Sequence, residues 1–272
     1  MSRKRTLVQG SVLLSLAVAV ALWTAGPAAR AAAPAAGAAP AAGAAPVAAS
    51  PGAAAIEKAA KDSKYLFIFF WKDDTQSSRV MRGVFQAAMA KLTDSAQSVE
   101  IQTGDPAEQP VVTRYGVGRA PMPFVLAIAP NGAMTKGLPT RFDESQIRQA
   151  LVSPCTAECM KALQDRKLVL LCVDRPAPQV HAVSLQKGVR DFATDATYGP
   201  NSKVVTLNAN DPAEAAFLKT LQVDPATTTP VTVLMCPPGS VVGTFAGDVS
   251  KEEMIAKLKS ASSCGPNCAC HH

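Results

Sequence analysis

The chain states one pattern twice, and that periodicity limits what it can fold into more than any other feature. Asp105-Pro106-Ala107-Glu108 returns as Asp211-Pro212-Ala213-Glu214, 106 positions later. Pro123, which opens an apolar run, matches Pro230 at an offset of 107, as do Asn131-Gly132 with Pro238-Gly239 and Leu151 with Leu258. Cys155-x3-Cys159 has its counterpart in Cys264-x3-Cys268 at 109. A near-constant offset across these landmarks implies two copies of a unit of about 100 residues. Any function must be explained by one fold used in tandem.

Residues 1–31 have the layout of a secretory signal. Arg3, Lys4 and Arg5 precede an apolar stretch from Val12 to Trp23, and Ala29-Arg30-Ala31 supplies small residues for cleavage. The strongly apolar part is shorter than the roughly 20 residues that span a bilayer. A membrane enters the picture only if this segment stays uncleaved. Residues 32–55 are almost wholly Ala, Pro and Gly without charge, and read as a disordered tether. Cleavage would remove four of the 27 basic residues and none of the 21 acidic ones, leaving 23 against 21, a net charge of +2. The basic balance of the full chain therefore gives no support for a nucleic-acid partner. The expected location is periplasmic or extracellular, where seven cysteines make disulfides the default and an odd count leaves one thiol over.

Each copy shows the same order of elements. Tyr65 to Trp71 is a continuous apolar run of strand length. Met81, Val84, Phe85, Ala88, Met89 and Leu92 recur at helical spacing. Val99, Ile101 and Thr103 alternate as a strand, and Asp105-Pro106 is a helix start with a capping Asp. Phe124 to Ala129 is a third strand ended by Pro130-Asn131-Gly132, a hairpin signal. A short fourth strand and a helix over 143–151 complete the unit. In the second copy the strands fall at 168–173, 203–207, 231–236 and 241–245. Its helices start at Asp211 and Ser250, and Ser250 and Glu253 are spaced as a capping box. The order βαβαββα predicts an α/β fold with a central mixed sheet covered by helices on both faces. The expected domains are 56–153 and 154–262, the second beginning with a connecting segment over 154–166, followed by a Cys/His-rich tail over 263–272.

This order, with Pro opening the third strand, resembles the thioredoxin fold over roughly 56–153 and 160–262. Phe70-Trp71-Lys72-Asp73-Asp74-Thr75-Gln76-Ser77-Ser78-Arg79 lies where thioredoxins carry Phe-Trp and then Trp-Cys-x-x-Cys-Lys. Tyr115-Gly116-Val117, Pro123 and Gly132 resemble that family's Tyr-Gly-Ile, cis-Pro and Asn-Gly landmarks, and Pro230 is the second copy's match to Pro123. The departure matters more. The resemblance puts the two redox cysteines at Thr75 and Ser78, and in the second copy near Pro176-Ala177-Pro178-Gln179, where no cysteine pair stands either. Thioredoxin chemistry needs a low-pKa thiolate at a helix start and a resolving thiol three residues on. Thr75 and Ser78 are instead expected to cap the helix, and redox activity at this degenerate site is expected to be absent.

The remaining chemistry lies in sulfur. Cys172 and Cys236 end strands that a thioredoxin-like sheet would run antiparallel, which separates them. Three readings of Cys155, Cys159, Cys264, Cys268, Cys270, His271 and His272 stay open: structural disulfides, a zinc or copper site at the tail, or thiol exchange by one Cys-x3-Cys pair. No other cofactor is expected. His181 reads as a loop residue, Asp73 and Asp74 as a solvated turn, and Phe67, Phe69, Phe70 and Trp71 as core. The expectation is a non-enzymatic binding or scaffold module for a polypeptide partner, laid across the backbone beside Pro123. A metal or thiol carrier and a thiol–disulfide oxidoreductase are the alternatives.

Overall fold

Every predicted strand forms: the continuous apolar runs become the inner strands, buried on both faces of each sheet, and the alternating ones become its outer strands, buried on one face at most. The computed structural model describes residues 50–175, 186–226 and 228–262. The signal-like segment 1–31, most of the 32–55 stretch, His181 and the Cys/His tail over 263–272 lie outside the described residues.

In the first repeat, α1 (Pro51–Lys61), β1 (Tyr65–Trp71), α2 (Gln76–Ala90), β2 (Ala96–Gln102), α3 (Gln109–Arg114), β3 (Phe124–Ile128), β4 (Met134–Pro139) and α4 (Glu144–Arg148) follow in order. The sheet order is β2-β1-β3-β4. β1 and β2 are parallel through the α2 crossover, and β3 and β4 are antiparallel additions. Alternate β1 side chains serve two cores. Phe67 and Phe69 pack with Phe85, Met89, Val125 and Ile147 on the α2 and α4 face. Leu66, Ile68 and Phe70 pack with Ala59, Ile101, Val111 and Val112 on the α1 and α3 face.

The second repeat gives α5 (Pro154–Gln164), β5 (Leu168–Asp174), α6 (Lys187–Ala193), β6 (Ser202–Asn208), α7 (Ala215–Thr220), β7 (Val231–Cys236), β8 (Ser240–Ala246) and α8 (Lys251–Ser262). Its sheet order, β6-β5-β7-β8, and its strand directions repeat those of the first. Leu170, Cys172, Phe192, Leu234, Met254 and Leu258 form one of its cores. The chain is thus an α/β protein of two tandem thioredoxin-like units, as the sequence pattern predicts.

Two corrections follow. The first repeat begins with a helix absent from the predicted order. Residues 51–55, which composition assigns to the tether, are the first half of α1 with Ser50 as its cap. Residues 154–164, inside the expected connecting segment, form the helix α5. The second correction concerns α6, which starts at Lys187, several residues beyond the Pro176–Gln179 stretch matched to the redox site. That stretch lies outside the described residues. By spatial proximity, 50–161 with 211–225 form one compact unit and 162–210 with 226–262 the other.

The repeated Asp-Pro-Ala-Glu motif now has a structural cause. Asp105 and Asp211 each accept from the amide two residues on, at 2.9 Å, and so start a 3-10 turn. The Glu that ends each motif is buried and reaches back to the unit's first helix. Glu108 accepts from Ser50 Oγ and Gly52 N, both at 2.9 Å. Glu214 accepts from Ser153 Oγ at 2.6 Å and Cys155 N at 3.3 Å. Free amides at a helix start need partners, and a carboxylate there also meets the positive end of the helix dipole.

Close backbone approach fixes α6. A Cβ on Gly188 would overlap the carbonyl oxygen of Val249, just before α8.

Glu108→Ala and Glu214→Ala each strip a buried carboxylate that accepts two hydrogen bonds. Each is expected to destabilise by about 2–3 kcal/mol, the range for bonds to charged groups, read as a lower urea midpoint. Gly188→Ala is expected to cost about 3 kcal/mol, the upper end for overpacking. Its effect should appear in the same unfolding measurement.

Candidate functional site

The end of β1 leads into the loop 72–75 and then into α2. Thr75 caps that helix: its Oγ1 accepts from Ser78 N at 3.1 Å and lies 3.0 Å from Ser78 Oγ. Thr75 is exposed and Ser78 buried. The structure therefore brings the two degenerate positions together as a hydroxyl pair in a first turn that holds no acidic residue. An alcohol does not ionise near neutral pH, so this pair has neither the thiolate nor the resolving sulfur that disulfide exchange requires.

Pro123 sits at the same end of the sheet. Phe70 pairs with Phe124 across β1 and β3, which sets Pro123 beside Trp71 and the start of the 72–75 loop. The Met122–Pro123 bond is cis, and Pro123 O accepts from Thr140 N at 2.7 Å. Met122 itself makes no backbone hydrogen bond among the described residues, although it is half-buried. Gly116, in the Tyr-Gly-Val landmark, takes the left-handed conformation at φ 64°. The sequence singles out Pro123 and overlooks Met122, because a free amide and carbonyl depend on strand register.

The second repeat departs from this. Pro230 O is bonded to Gly247 N at 2.8 Å, in parallel with Pro123. The cis bonds among the described residues are Met122–Pro123 and Pro237–Pro238, so Pro230 does not copy Pro123 in peptide geometry. Thr229, the counterpart of Met122, is engaged with a partner. Gln186, Lys187, Gly188 and Val189 open α6, again without cysteine.

Around the first site, charge is paired. Arg82 lies 4.8 Å from the centre of the Trp71 ring and forms an ion pair with Glu100 at 2.9 Å. Trp71 is thus half-buried, packed against the edge of the core on one side and under a guanidinium on the other. Asp74 pairs with Arg79 at 3.1 Å and Arg82 at 3.4 Å, so Asp73 and Asp74 do not work as an acid pair. Exposed pairs of this kind contribute little to stability.

The four described cysteines, Cys155, Cys159, Cys172 and Cys236, are buried free thiols. Cys155 and Cys159 stand one helical turn apart in α5, and the Cys159 side chain, burial and the Glu214 and Glu158 carboxylates together push Cys155 far above its usual range. Cys172 stands opposite Thr232, four residues from Cys236, so the two sulfurs are separated as expected. Burial pushes its thiol up to about 11, with the Thr232 hydroxyl acting against this. Cys264, Cys268, Cys270, His271 and His272 lie outside the described residues. Among the described residues no three His, Cys, Asp or Glu side chains converge on a metal position.

No protein-family model matches this chain, and no curated protein matches it. Solved structures similar to it are thioredoxin-like. Thioredoxin O2 from Arabidopsis thaliana is 14% identical, covering 35% of this chain and 79% of its own, with a TM-score of 0.30. The first two thioredoxin domains of Saccharomyces cerevisiae Eps1p are 9% identical, covering 70% and 87%, with a TM-score of 0.29. Human ERp44 in a zinc-bound form is 11% identical, covering 78% and 59%, with a TM-score of 0.32.

The hydroxyl pair predicts its own conversion. With Oγ atoms 3.0 Å apart, Thr75→Cys with Ser78→Cys is expected to form a disulfide across the first turn of α2. Mass spectrometry after alkylation would then find the new thiols blocked before reduction. Insulin reduction should appear in this variant and be absent in the parent.

Proposed function

We propose that this protein is an exported binding module that takes an extended polypeptide segment along its first repeat, without redox chemistry at the inherited site. The observation that carries this reading is Met122, whose backbone amide and carbonyl are free beside Pro123. An unpaired donor and acceptor on one residue at a strand entrance is what strand addition uses, with affinity from main-chain bonds and specificity from adjacent side chains. This mode needs no cysteine, which fits the replacement of both sulfur positions by Thr75 and Ser78. Trp71, steadied by Arg82, offers a half-buried aromatic surface at the same sheet end. The signal-like segment over 1–31 supports an exported location.

The test is binding of reduced, alkylated, unfolded polypeptide to the full chain. Met122→Pro removes the amide donor, and affinity is expected to fall about tenfold, the effect of one lost hydrogen bond. Far-UV circular dichroism should not change. Unaltered affinity in this variant, or dithiol-dependent insulin reduction by the parent, would overturn the reading.

A further inference from the structure

We propose that Cys155 and Cys159 form a two-sulfur site for a soft monovalent metal ion, with copper(I) the ion whose coordination it fits. The residues are four apart in α5, so their side chains leave one face of the helix with Cβ atoms about 5–6 Å apart. Both thiols are free, and Cys155 at 8% exposure is the more open of the pair, with Cys159 at 2%. The fold does not require sulfur here. The first repeat, with α1 and α5 each 11 residues long and each starting Ser-Pro, carries Gly52 and Ile56 at the matching places.

The surroundings select the class of ion. Zinc is bound by four ligands in tetrahedral array, and no third His, Cys, Asp or Glu joins this pair among the described residues. Glu214 is committed to the start of α5 through Ser153 Oγ and Cys155 N. Paired thiolates favour soft ions, and copper(I), with a filled d shell, is satisfied by two sulfurs in a near-linear arrangement. Each thiol gives its proton to solvent, two sulfur–copper bonds form as the ion leaves its carrier ligands, and no electrons change hands.

The test uses the full chain carrying Cys264→Ser, Cys268→Ser and Cys270→Ser, reduced and kept from air, titrated with copper(I) against a coloured chelator. One equivalent is expected to bind, and to be lost on adding Cys155→Gly or Cys159→Ile, the residues of the first repeat. Cys159→Ala provides a second variant should the isoleucine perturb folding. An equivalent that survives these substitutions lies elsewhere and overturns the proposal, as does no uptake at all. A Cys155–Cys159 disulfide after air exposure, without copper uptake by the reduced form, also overturns it. Met122→Pro should leave copper uptake unchanged, so failure here is distinct from failure of the peptide-binding reading.

Discussion

In each repeat a buried carboxylate binds the start of the first helix to the turn that follows the second strand. Glu108 and Glu214 supply acceptors to amides that a helix start leaves unpaired, and each spans more than fifty residues of sequence to do so. Burying a carboxylate is costly unless it is hydrogen-bonded, and here both oxygens are used. The tie sets the place of α1 and α5. In the first repeat α1 covers the sheet face opposite α2, and without that cover the apolar strand β1 could not stay buried on two sides.

The hydroxyl pair at the start of α2 meets a structural need. A helix start needs an acceptor, and Thr75 supplies one. The free backbone at Met122 depends on sheet register and not on the residue types at 75 and 78. The second repeat, with its later α6 and no cis bond before Pro230, does not duplicate that geometry.

Much of this was legible from residues alone. Tyr65 to Trp71 announced itself because a strand covered on both faces must be apolar throughout. Thr75 was readable as a cap, and Asp105 and Asp211 as turn starters, because those bonds close within three residues. α1 was hidden by its alanines, which give no hydrophobic periodicity although alanine has the highest helix propensity; Ser50-Pro51 was its one local signal. The partner of Glu108 lay out of reach because a contact across 56 residues leaves no trace in a single sequence. α6 has no counterpart in the sequence reading, because 179–198 is too poorly patterned to mark where a helix starts.

Two glycines differ in what surrounds them. A side chain at Gly52 would press on Glu108 and Ile101, both buried, and moving that carboxylate aside would undo its grip on the start of α1. Gly188 faces the peptide oxygen of Val249, which has no rotamer to adopt. Position 52 is thus guarded by a working side chain, whereas position 188 is a mutational dead end, frozen by main chain.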